Sequence, residues 1–136
     1  MAQEDPMGCG VACVANRLDL SYAEALRLFD RPQDAKTIGY RCKYIVEALR
    51  RGGIDVRLRH IKHIDRVTVM NGDKPLPDGT IVVLVRSELY PYRHYLLKAA
   101  EGWVDPWVNM HDDADVTHAS VGLHDELPGE PYYAIY

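Results

Sequence analysis

The chain has 136 residues, 47% of them hydrophobic and 26% charged. That is enough for one domain with its own apolar core, and it excludes the disordered and low-complexity classes. Lys plus Arg number 16 against 20 for Asp plus Glu, a net charge of -4, so the phosphate-neutralising surface of a nucleic-acid binder is not expected. The basic strip Arg50, Arg51, Arg57, Arg59 and Lys62 reads as a solvated face. No run of about 18 apolar residues occurs, so no membrane span is expected. The start, Met1-Ala-Gln-Glu-Asp-Pro6, lacks the basic and apolar stretches of a secretory signal, and a cytoplasmic location is expected. Three cysteines, Cys9, Cys13 and Cys42, cannot pair off completely and are expected as thiols.

In chain order, Asp5-Pro6-Met7-Gly8 is a turn-rich lead that delays the first helix to about Cys9–Leu18, where Val11, Ala12, Val14, Ala15 and Leu18 suit burial. Ser21 and Glu24 have the spacing of a capping box, predicting a second helix from Tyr22 to about Phe29, closed by Arg31-Pro32. A third should cover Arg41 to Arg51, with Ile45, Val46 and Leu49 on one face and a left-handed stop at Gly52-Gly53. Ile54, Val56 and Leu58 alternate with polar residues and predict a half-buried strand. The segment from Ile61 to Asp78 is ambiguous between helix, strand and loop. Thr80–Val85, His94–Lys98 and Trp103–Asp105 predict strands, with a turn over Ala100–Gly102 and a stop at Pro106. Trp107 to Pro131 reads as a long loop, and Tyr132–Tyr136 as a closing strand. The expectation is one α+β domain over residues 1–136, with N-terminal helices packed on an antiparallel sheet.

Cys9 carries the first chemical signal. It stands between Gly8 and Gly10 at the first turn of a helix, where free amides and the helix dipole favour a thiolate. The flanking glycines are expected to let a substrate approach the sulfur. Cys13 and Cys42 read as structural. A thiolate nucleophile needs a base, and the base an orienting group. His94 opens a strand after a loop, and Asp105 closes the next one. A turn between Ala99 and Ala100 sets them face to face, whereas a turn on Glu101-Gly102 offsets them by four residues, on the order of 13 Å. Both registers are open. His60 and His63 with His111, Asp112, Asp113 or Asp115 match no closed zinc spacing, and no metal or other cofactor is expected. Tyr90, Tyr92, Tyr95, Trp103 and Trp107 gather about the hairpin as core or cleft wall.

The segment Gln3-Glu-Asp-Pro-Met-Gly-Cys9-Gly-Val-Ala-Cys13 resembles the active-site start of the bacteriocin-leader-processing cysteine peptidases, papain-like domains that cut after double-glycine leaders. In that family a Gln precedes the catalytic Cys by six residues, as Gln3 precedes Cys9. His94-Tyr-Leu-Leu matches its second motif and Asp105-Pro106 its third. Gly8 stands where the exporter-linked domains usually carry an acidic residue.

The resemblance implies a papain-like cysteine peptidase fold. It makes Cys9 the nucleophile, His94 the base, Asp105 its orienting group and Gln3 a side-chain donor to the oxyanion, beside the Cys9 N–H. The implied activity is hydrolysis of a peptide or isopeptide bond through a thioester. The implied partners are a peptide or protein substrate and a separate exporter, without nucleic acid. Two other readings keep the fold: a glutamine deamidase or transglutaminase-type acyltransferase, and a catalytically silent peptide-binding module.

Overall fold

A computed structural model describes residues 1–61, 76–87, 90, 93–110 and 115–136. The ambiguous segment therefore lies mostly outside the described residues, as do His63, Tyr92, His111, Asp112 and Asp113.

Helix α1 runs Cys9–Leu18, with Cys9 through Ala15 all buried. A helix apolar on every side must be wrapped, and α1 packs against α2, α3 and strand β3. Asp19 ends it in a left-handed conformation, φ 56°. Helix α2, Tyr22–Leu26, begins with the expected capping box: Ser21 Oγ accepts the Glu24 N–H while Glu24 accepts the Ser21 N–H. It is three residues shorter than expected, because Pro32 does not merely terminate it. Instead Pro32 opens a 3-10 turn over Pro32–Lys36, a position where its fixed φ and missing N–H are no liability. Helix α3 is Cys42–Arg51, and the left-handed residue after it is Gly53 (φ 96°), not Gly52 (φ -76°).

The six strands are β1 Leu58–His60, β2 Ile81–Arg86, β3 His94–Ala99, β4 Gly102–Asp105, β5 Gly122–His124 and β6 Glu130–Ile135. They form one antiparallel sheet in the order β1-β6-β2-β3-β4-β5. Two expectations change here. The first strand starts at Leu58 and not at Ile54, because α3 has first to turn back onto the sheet. The expected loop from Trp107 to Pro131 contains β5, a short 3-10 turn at Val116–His118 and the start of β6.

Alternation along the strands sorts their side chains into two layers. Ile81, Val83, Tyr95, Leu97 and Ile135 join the helices in one cluster. Val82, Leu84, Leu96, Trp103 and Ala134 join Tyr90 and Leu127 in a second, on the other face. The sheet is thus covered on both sides, and α1 meets it where β3 begins. Parts of the basic strip brace this frame: Arg50 donates to Val56 O, Arg51 to Leu28 O, and Arg59 lies over the Tyr136 ring.

Candidate functional site

The β3–β4 register pairs Leu97 with Val104, Lys98 with Trp103 and Ala99 with Gly102. Continued by one pair, it sets Asp105 opposite Leu96, two residues from His94 on the same face. This lies between the two registers open from the sequence. Such diagonal neighbours are within reach of long side chains, and His94 Nε2 meets Asp105 Oδ1 at 2.7 Å. A carboxylate accepts, so Nε2 carries the proton and Nδ1 of neutral His94 is left able to accept one.

Asp105 is fully buried and draws four donors. Oδ1 accepts from His94 and from the Trp107 N–H at 2.9 Å. Oδ2 accepts from His124 Nε2 at 2.7 Å and from the Tyr90 hydroxyl. Tyr90 also stacks on the His94 ring, centroids 3.9 Å apart. The carboxylate is therefore shared by two imidazoles. His124, half-buried on β5 opposite Trp103, is the functional candidate that sequence reading misses. Its strand has three residues and no alternating apolar pattern, and only the β4–β5 register brings it to Asp105. Burial raises the Asp105 pKa, opposed by the His124 and Trp107 hydrogen bonds.

Cys9 is the first residue of α1. Its sulfur sits against the backbone N–H groups of Tyr95 and Gly10, which favour a thiolate, but burial outweighs them and pushes the thiol up to about 11. Burial, aided by the neighbouring His124, lowers His94 to about 3. The resting pair is neutral thiol and neutral imidazole, contrary to the depressed thiol pKa expected from the helix start alone. No hydrogen bond joins Cys9 to His94. Both instead line one cavity of ≈ 20 Å³ with Gln3, Pro6, Met7, Tyr90, Arg93 and Met110, a space of about one water or one carbonyl oxygen. Cys13 and Cys42 also have raised thiol pKa values, each chiefly through burial.

Gln3 is 2% exposed and held in place. Its N–H donates to Pro106 O at 3.1 Å, docking the N-terminal segment beside the Asp105 corner. Its Nε2 donates to Asp5 O at 3.0 Å and Pro6 O at 3.1 Å, while Oε1 is buried and finds no partner. Two carbonyls beside the nitrogen fix the amide orientation. The two N–H groups are thus committed locally, and donation to an oxyanion requires exchange of one of these bonds.

Packing alone requires the glycines flanking Cys9. A Cβ on Gly8 would stand 2.0 Å from the Tyr22 hydroxyl, which donates to Asp5 Oδ2 at 2.8 Å. One on Gly10 would stand 2.5 Å from Ile45 Cδ1. The close approach of Tyr22 accounts physically for Gly8.

Cys9 also lines a groove of ≈ 590 Å³, which shares Met7 and Arg93 with the small cavity. Cys9 and Tyr95 form part of its lining, with Tyr40, Tyr44, Arg41 and Arg93 among its walls. The wall at residues 34–40 is tied to the cysteine loop, since Met7 N–H donates to Ala35 O at 2.8 Å. Among the described residues, no group of three or more His, Cys, Asp or Glu converges as a metal site. No protein-family model matches the chain, and comparisons with curated proteins and with solved structures return no match.

Proposed function

We propose that this chain is a papain-like thiol hydrolase of peptide or isopeptide bonds, akin to the leader-processing cysteine peptidases. The observation that carries the reading is the buried Asp105 carboxylate, which holds His94 Nε2 at 2.7 Å beside the cavity that Cys9 also lines. In the proposed cycle the Cys9 S–H proton passes to His94 Nδ1 as sulfur attacks the carbonyl carbon. Transfer within the attack avoids a free buried thiolate, and the Asp105 carboxylate balances the imidazolium. The oxyanion faces the Cys9 N–H at the start of α1, joined by Gln3 Nε2 once it releases Asp5 or Pro6. His94 then returns its proton to the leaving nitrogen as the C–N bond breaks, leaving a thioester on Cys9. Water, deprotonated by His94, adds to the thioester, and the acid departs as Cys9 regains its proton.

A second reading, a binding module without turnover, draws on the raised Cys9 thiol and its missing bond to His94. One experiment divides the two. The protein is incubated with an acyl-activated peptide ester, quenched in acid, and weighed intact. The hydrolase reading expects an acyl adduct on Cys9, absent in Cys9→Ala and strongly reduced in His94→Ala. An adduct that survives Cys9→Ala, or no adduct at any pH, removes the hydrolase and leaves the binding module.

A further inference from the structure

The ≈ 590 Å³ groove beside Cys9 carries a charge that neither the nucleophile nor its base explains. Among the described residues, three arginines, Arg31, Arg41 and Arg93, line it against one acid, Asp34. Asp34 is already paired with Arg31 at 3.4 Å. Arg41 and Arg93 are exposed and have no ion-pair partner among the described residues. The lining therefore has a surplus of two positive charges in a chain whose net charge is -4. Arg93 is near enough to favour the ionised forms of both Tyr95 and Cys42. Arg41 stands at the start of α3, exposed, and its guanidinium makes no hydrogen bond or ion pair among the described residues. Two unpaired cations on one groove make a local positive potential that attracts a negatively charged ligand.

The direction of a bound substrate follows from the base. His94 lines the small cavity and not the groove, Arg41 lines the groove and not the small cavity, and Arg93 borders both, at their junction beside Cys9. On the proposed hydrolase reading, on which this inference rests, His94 must protonate the leaving nitrogen. The leaving group then lies toward the small cavity, and the acyl segment runs the other way, into the groove. That segment precedes the scissile bond, so its negative charge comes from Asp or Glu side chains and not from a chain end.

We propose that the groove selects acidic residues on the acyl side of the scissile bond, their carboxylates taken by Arg41 and Arg93. Arginine suits this role, because its planar fork pairs both carboxylate oxygens. Tyr40 and Tyr44, rings 6.5 Å apart, and the 72%-exposed Ile38 at the rim supply apolar surface for the intervening side chains. The groove falls within the usual range of ligand sites, about 300–1,000 Å³.

The test uses the whole protein in two arms. In the first, Cys9→Ala protein is titrated by NMR with N-acetyl tetrapeptide amides that differ only in carrying Glu, Gln or Lys at the two middle positions. The Glu peptide is expected to bind about tenfold more tightly than the Gln peptide, and the Lys peptide more weakly than either. Arg41→Ala with Arg93→Ala should abolish the difference; both side chains are exposed and make no hydrogen bond or ion pair among the described residues. Equal binding of the Glu and Gln peptides, or a preference that survives the double substitution, overturns the proposal.

In the second arm the same tetrapeptides carry an aminomethylcoumarin leaving group, and p-nitrophenyl acetate serves as an acyl donor too small to reach the arginines. Acylation by the small ester with no preference for Glu overturns the groove assignment alone. Acidic binding without acylation by any donor supports the groove and overturns the hydrolase.

Discussion

Asp105 is one carboxylate serving two histidines, and the second is where a substitution is most informative. His124 holds Oδ2 at 2.7 Å, and its hydrogen bond and charge oppose the burial that raises the Asp105 pKa. Removing it lets the carboxyl take up a proton at a higher pH, and a protonated Asp105 no longer balances the His94 imidazolium. His124→Ala is therefore expected to lower kcat about tenfold with little change in KM. It should also move the acid limb of the pH–rate profile upward. A merely structural loss would lower the active fraction without shifting that limb, so the profile decides. Two short polar contacts at Gln3 make a contrasting point. Its position beside Cys9 follows from the chain, but the carbonyls of Asp5 and Pro6 already take its amide, a competition that spacing does not reveal.

Among the elements, the β3–β4 hairpin does the positioning. Its two-residue turn, Ala100-Glu101, ends at Gly102 with φ 149°, and a Cβ there would sit 2.6 Å from the His124 carbonyl oxygen. Gly102 thus sets the hairpin register and also lets β5 lie close against β4. Gly102→Ala is expected to destabilise by about 2 kcal/mol or more, through backbone strain and displacement of β5. Urea unfolding measures the loss, and activity should fall further than the folded fraction, since His124 leaves Asp105 with the displaced strand. The helices were the legible elements: a breaker before Cys9, a capping box at Ser21 and an apolar face at Ile45, Val46 and Leu49 are all local signals. The register was not legible, because it depends on the conformation of a single glycine. Nor was β5, whose three residues are stabilised by pairing with β4 and not by their own pattern. At the site, Cys9, His94 and Asp105 could be nominated from the sequence, while His124 could not. Its bond to Asp105 exists only once three strands are in register.

At the scale of the whole molecule, the buried His94 makes stability depend on pH. The folded imidazole resists protonation down to about 3, whereas an unfolded histidine protonates near 6.5. Between these values the unfolded chain binds a proton that the folded chain excludes, so stability falls as the pH drops from about 6.5 toward 3. Asp105, raised by burial, works in the opposite sense below its folded value and offsets part of the loss. His94→Gln keeps a polar side chain without the titration. Urea midpoints measured from pH 7 to pH 4 are expected to fall less steeply for this variant than for the parent protein; parallel slopes would show that the His94 site does not govern the acid loss.

The strand order also dictates a sequence of events in time. His94, Asp105 and His124 come from three successive strands, β3, β4 and β5, that pair as neighbours. The β3–β4 hairpin closes over two residues and β5 joins it across the 16 residues from 106 to 121, a shorter closure than those that bring β6 to β1 and β2, and shorter loops close sooner. Strand β6 has instead to insert between β1 and β2, pairing Ile135 with both Leu58 and Ile81, and Cys9 reaches β3 from the far end of the chain. A folding molecule thus builds its imidazole–carboxylate cluster early from local parts. The thiol arrives late, and the groove closes only when distant segments dock. On the proposed hydrolase reading, reactivity is consequently a property of the finished molecule: a nascent or half-refolded chain can carry the imidazole–carboxylate cluster with no sulfur beside it.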